Sequence, residues 1–271
     1  MPATADILLY VRVLLQVAVV LRLCGLGLAG RYWVLAAGLG VSLARTLGAV
    51  LLPTMVLHPT GGWRPFGLQP YPLLYVTTQP LLWVLYFLLL LELYSAALEE
   101  FPGVRRLGRL VLFSALAAIA LACAALISLD ERRGVDPFPF LGYLVLQERS
   151  VFVALSAVAL LLLLFVSYYR LPVRRNVWVL WACWGGYFLS SAALLTLRWY
   201  FGLDFRPTRN LSSGLLYDLA LLGTTCLLSR AGETEIRSLS PPWGDRSGEV
   251  EVALSLQLQN FNQALVRVLK P

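Results

Sequence analysis

Histidine, lysine and closely spaced cysteine are nearly missing from this sequence, and each shortage removes a class of chemistry. His58 is the single histidine. Bis-histidine haem spans, histidine-rich metal sites and serine proteases with an intramembrane Ser–His pair therefore have no residues to build on. Lys270 is the single lysine and lies outside every apolar stretch, which excludes a retinal Schiff base. Cys24, Cys123, Cys183 and Cys226 each stand alone, without C-x-x-C spacing, and read as small apolar packing residues. Phosphate-loop, dinucleotide and G-x-S-x-G signatures are absent. The stretch EEFPGVRR (99–106) is close to the E-E-x-x-x-R motif of CAAX-type intramembrane proteases. Its spacing is one residue too long, and the histidines that motif needs are missing. These absences leave no catalytic constellation, and the expectation is a non-enzymatic protein with no cofactor and no metal.

Charge is scarce as well: 14% of residues are charged against 59% hydrophobic, and mean hydropathy is +0.73. A soluble domain of 271 residues needs a larger charged surface than this. The apolar residues are grouped into stretches of about 20, the length of helix that crosses ~30 Å of hydrocarbon. The net charge of +7 sits between these stretches, so it reads as membrane topology, with the lipid bilayer as partner and no role for nucleic acid.

Seven spans are predicted, at 6–28, 32–57, 72–95, 107–129, 150–169, 176–200 and 211–229. The fold class expected is an all-α membrane protein, a seven-transmembrane-helix bundle (1–230) with a C-terminal amphipathic helix. Arginines favour the connections that are internal if the N-terminus is outside and the C-terminus cytoplasmic. The stretches 58–72 and 130–149 then form compact outer loops that either cap the bundle or shape a pocket. Residues 231–248 read as a linker, and 249–270 as a cytoplasmic helix. Leu254, Leu258, Phe261, Leu265 and Val268 follow a 4-3-4-3 seam on that helix, a surface for a protein partner or for self-association.

A few charges fall inside the spans, where an unpaired arginine costs several kcal/mol. Arg45 is midway along the second span, about 100° round the helix from a small-residue stripe formed by Ala36, Gly40, Ala44 and Gly48. That stripe is expected to pack against a neighbouring helix. Asp218, midway along the seventh span, is the expected partner of Arg45. Arg22 and Glu92, late in spans one and three, form a second expected pair. Arg12 is placed to snorkel or to meet Asp6. Such pairs either brace the bundle or line a polar cavity for an ion or anionic ligand.

The run LLLLELYSAAL leading into FPGVRRLGR, with the seven-span count, resembles bacterial seven-span integral membrane proteins of unknown function. The resemblance covers spans three to seven and implies a multi-pass protein of a bacterial inner membrane, with no activity attached. The leading functional expectation is a sensor or accessory subunit acting through a partner. The alternative is a small-solute or ion transporter with Arg45 and Asp218 lining the path.

Overall fold

The computed structural model describes residues 2–56, 70–114, 139–169, 171–201, 206–237 and 247–268. His58, Cys123, Lys270, the loop residues 58–69 and 130–138, and most of the predicted fourth span lie outside the described residues.

Nearly every described residue is helical. The helices are α1 (Pro2–Gly25), α2 (Trp33–Val56), α3 (Pro70–Ala97), α4 (102–114), α5 (Pro139–Tyr168), α6 (Arg175–Leu180), α7 (Gly186–Phe201), α8 (Arg206–Leu227) and α9 (Ser247–Val268). Prolines mark their starts: Pro2, Pro70, Pro102, Pro139 and Pro207 all fall at the first or second helical residue. There the missing N–H costs nothing and the fixed φ suits the helix. A five-residue π-helical turn, Trp181–Gly185, joins α6 to α7 without a break. The wider turn aims both Trp181 and Trp184 inward, where each is buried.

Six helical elements close a ring in the order α1, α2, α3, α5, α7, α8 and back to α1. At its centre lies an apolar core that includes Val19, Leu23, Leu90, Val177, Leu180, Phe188 and Leu221. The outward faces are apolar too: Leu14 is 69% exposed, Leu161 65% and Leu219 61%. An exterior of this kind suits hydrocarbon better than water. Among the described residues four helices, not seven, are long and apolar enough to cross a membrane: Ile7–Gly25, Leu74–Ala97, Gln147–Tyr168 and Arg175–Arg198. The described apolar part of α2, Trp33–Ala49, is shorter. Helix α8 opens on Arg206 and Arg209 and carries Asp218, and the described part of α4 stops at residue 114.

Other sequence expectations are corrected in detail. The segment 139–149, expected to belong to a loop, is the first part of α5. The start of the predicted linker is folded: Ala231–Glu233 is a 3-10 turn, and Ile236–Arg237 pairs antiparallel with Val173–Arg174, the register being Val173 with Arg237 and Arg174 with Ile236. The small-residue stripe of α2 is not a helix-packing seam along its length. Gly40 and Ala44 are exposed, Ala36 is half-buried against the core, and Gly48 faces the Leu74 side chain. The buried row is instead Leu35, Leu39, Ser42 and Thr46. Of these, the Ser42 hydroxyl finds partners on other helices, Gln16 and Tyr217, and the Thr46 hydroxyl donates to the Ser42 carbonyl of its own helix, whereas Gly40 and Ala44 are exposed on the outer face. Of the three described cysteines, Cys24 and Cys226 are exposed and Cys183 packs against the core.

Helix α4 leaves the ring and lies on the outside of α3. The Tyr94 hydroxyl donates to the Val104 carbonyl at 2.9 Å, and the Arg109 Nε donates to Ser95 Oγ at 3.0 Å. Gly108 permits this approach, because a Cβ there would sit 1.7 Å from the Tyr94 hydroxyl. The tail helix α9 docks on the beginning of α4. Of its predicted seam, Leu258 is buried and Leu265 is half-buried against the core, while Phe261 and Val268 are exposed. The side chain of Leu254 is outside the described residues. Between them, Asn262 Oδ1 accepts the Gly103 N–H at 2.7 Å and the Val104 N–H at 3.3 Å. A polar residue of the tail therefore caps the exposed donors of another helix.

Candidate functional site: a polar cavity inside the helical ring

The half of the ring that holds the N-terminus of α1, here the upper half, is not solid. It encloses a cavity of about 340 Å³ lined from α1, α2, α3, α5, α7 and α8. Its walls include three arginines (Arg12, Arg45, Arg209), Glu148, and four tyrosines (Tyr75, Tyr86, Tyr187, Tyr217), with Gln79, Ser42, Thr46 and Asn210.

The sequence places Arg45 against Asp218, and the structure does not. Asp218 is held by Arg12, whose Nε lies 2.9 Å from Oδ1 and Nη2 3.4 Å from Oδ2. The guanidinium also rests over the Tyr217 ring, 5.6 Å from its centroid. Room for it comes from Gly214, one turn before Asp218 on α8: a Cβ there would lie 2.6 Å from Arg12 Nη2. A small residue one turn from a buried carboxylate was the local signal for this pairing. The side chain of Asp6, the other expected partner of Arg12, lies outside the described residues.

A second ion pair joins α8 to α5. Arg209 Nη2 donates to Glu148 Oε2 at 2.8 Å, and Tyr75 and Gln79 donate to the same carboxylate at 3.2 and 3.3 Å. Glu148 does not stand out in the sequence, where the charged run QER reads as the end of a loop. In α5 it sits well inside the helix and is buried. Gln79 directly precedes Pro80, the one proline in the interior of α3, which runs on unbroken, and Gln79 lines the cavity.

Arg45 is the exception. Its Nη1 donates to Gln79 Oε1, and its guanidinium lies 5.9 Å from the centroid of the Tyr75 ring. It pairs with no carboxylate among the described residues. Of the three cavity arginines, then, two have acidic partners and one has a neutral amide and an aromatic face. Arg209 Nε is likewise buried without a hydrogen-bond partner. Among the described residues the cavity thus carries one positive charge without a carboxylate partner, and one spare donor.

The floor is aromatic and hydrogen-bonded. Gln16 Nε2 donates to Ser42 Oγ at 2.8 Å and to the Tyr217 hydroxyl at 3.2 Å, and Tyr217 donates to Ser42 at 3.0 Å. This triangle ties α1, α2 and α8 together. Around it Tyr86, Phe152, Trp184, Tyr187, Phe188 and Tyr217 form one cluster with ring centroids 5.4–6.5 Å apart.

The second expected pair, Arg22 with Glu92, does not form. Both Arg22 Nε and Nη2 donate to the Leu228 carbonyl, just past the end of α8, at 3.1 and 2.7 Å. A cation there complements the helix dipole and its unpaired carbonyls. Glu92 Oε1 accepts the Val34 N–H at 3.3 Å, capping the start of α2 from a neighbouring helix. Each charge found a helix end, which depth-matching along the sequence does not register.

No group of three metal-ligating side chains occurs among the described residues. Comparison of the chain with family models, with curated proteins and with solved structures found no match.

Proposed function

We propose that the chain is a multi-pass membrane protein, a seven-helix bundle completed by α4, and that it binds a small anionic solute in the upper cavity. The observation that carries this reading is Arg45. A mid-helix arginine beside an amide and a tyrosine ring, in a cavity with one cation more than anions, is complementary to a carboxylate or phosphate. Tyrosine hydroxyls, Asn210 and the spare donor of Arg209 supply further polar contacts, and the tyrosine rings supply apolar walls. Such a mixture of few polar groups on an aromatic lining is typical of small-molecule sites. With the N-terminus outside, the cavity faces the exterior of a bacterial inner membrane. The tail helix at the other end reports to a partner, which makes the protein a sensor or accessory subunit and not an enzyme.

A second reading, a carrier, is favoured by one feature. Beneath the cavity come the aromatic floor and then a layer of ion pairs, in the order of an outward-facing site above a closed inner gate. Solute-induced thermal shift of the full chain in mild detergent tests the proposal. A panel of mono- and dicarboxylates, phosphate esters and matched neutral analogues is applied. Stabilisation by an anionic member and not by its neutral analogue is expected, and no stabilisation by any anion contradicts the reading. Uptake of the selected anion into proteoliposomes then separates a carrier from a sensor.

A further inference from the structure

A second recess opens on the opposite side of the molecule, at the lower end, and its chemistry differs from that of the upper cavity. It lies between α2, α3 and α4 and measures about 600 Å³. One end is charged, lined by Arg31, Glu99, Arg105 and Arg109; Ser95 and Glu92 follow, and the remaining wall is apolar, with Leu88, Leu91, Ala96, Trp33 and Phe113.

The charges do not cancel. Glu99 is shared by Arg31 at 2.8 Å and Arg174 at 2.9 Å, and Glu92 is engaged by the backbone at the start of α2. Arg105 and Arg109 have no carboxylate partner among the described residues. Arg109 is held in place by Ser95. Arg105, Arg109 and Phe113 follow at intervals of four, so they share one face of α4 and step inward by about 6 Å at a time. Phe113 is half exposed and meets Phe87 edge-on at 6.0 Å between centroids, while Trp33 is 59% exposed at the first residue of α2. Along this groove the wall passes from cationic to aromatic to aliphatic, in the direction from the end of the bundle towards its middle.

We infer that the α2–α3–α4 groove is a binding site for an anionic glycerophospholipid of the surrounding leaflet. Its phosphate sits on Arg105 and Arg109, and an acyl chain runs along Phe113, Leu88 and Leu91. A free phosphate would use only the arginine end and would leave the apolar wall without a role. A zwitterionic lipid would present an ammonium group to two arginines. Basic recesses between helices at the cytoplasmic side select anionic headgroups on the same principle. The inference rests on the membrane reading but not on the solute cavity, which shares none of these residues.

The test uses the full chain reconstituted in mixed phosphatidylglycerol and phosphatidylcholine vesicles and then extracted into mild detergent for native mass spectrometry. Wild type is expected to retain phosphatidylglycerol in preference to phosphatidylcholine. Arg105→Gln with Arg109→Gln is expected to lower that retention about tenfold, while Arg230→Gln, an exposed arginine at the same end, leaves it unchanged. Equal retention by the double variant overturns the site, and so does displacement of the lipid by millimolar inorganic phosphate. On wild type, a photoactivatable phosphatidylglycerol is expected to crosslink to peptides spanning 31–34 or 88–113; crosslinks confined to other segments overturn the assignment even if the variant does not fold. Solute-induced thermal shift measured on the same double variant stays at its wild-type value, which separates failure of this site from failure of the upper one.

Discussion

The two ends of the helical ring use the same residue types to opposite effect. At the lower end, Arg31 and Arg174 face Glu99 and Glu233 in a closed set of four contacts between 2.8 and 3.4 Å. Tyr32 and Asn176 donate to Glu233 as well, each at 2.8 Å. Two cations meet two anions, and the residues just above are fully buried leucines and valines. At the upper end three arginines meet Glu148 and Asp218, and space remains. Within the ring, a matched set of charges closes the bundle, whereas an odd charge beside a void leaves a place for something else; the lower recess lies outside the ring, between α2, α3 and α4. Arginines and carboxylates alone do not distinguish a brace from a site; the count of partners does.

Breaking the comparison at its strongest point means removing Asp218. Asp218→Ala leaves Arg12 beside a ring and no carboxylate in a largely buried position. We expect a loss of about 3 kcal/mol, read as a lower melting temperature or a lower folded yield in detergent. A variant as stable as wild type would mean that Arg12 reaches water. At the other end, Glu233→Gln removes one anion from the closed set while keeping an acceptor for Tyr32. Because its arginines are about one-third exposed, the expected loss is smaller, about 1 kcal/mol. It should leave solute-induced stabilisation intact, and loss of solute response would tie the lower end to the site. The smallest effect is expected from Asn262→Ala, about 1 kcal/mol or less, since it removes only a cap. Its readout is faster protease release of the tail with no change in solute response. An unchanged cleavage rate would show that Leu258 and Leu265 suffice to hold α9.

The helical class and the approximate positions of the helices were legible in the sequence. Depth was legible for Arg45 and Asp218 but not for Arg12, which a span beginning at residue 6 puts near the outer end. Helix α1 begins at Pro2, so Arg12, Arg45 and Asp218 lie 10, 11 and 12 residues from the upper ends of their helices, hence within about 3 Å of one level. Depth alone could not choose between Arg12 and Arg45, because that depends on rotation about the helix axes. Gly214 was the available clue, a gap one turn from the acid. The row Leu258, Asn262 and Leu265 was half legible for a related reason: a heptad scores apolar residues and passes over an amide that caps a neighbour. Glu148 and Arg209 were missed because charged residues near a span boundary read as loop, whereas here a helix simply begins earlier and carries them inward.

Under the proposed function Arg45 serves a ligand and not the fold. Titration of the anion selected in the solute panel into wild type and Arg45→Gln, with melting temperature measured on the same samples, tests that role. Loss of one charge-assisted contact is worth about 1.5–3 kcal/mol, so affinity should fall roughly 10- to 100-fold. Melting without ligand should change little, since Arg45 has no acidic partner to strand. Unchanged affinity, or a collapse in stability like that of Asp218→Ala, would contradict the account and make Arg45 one more brace.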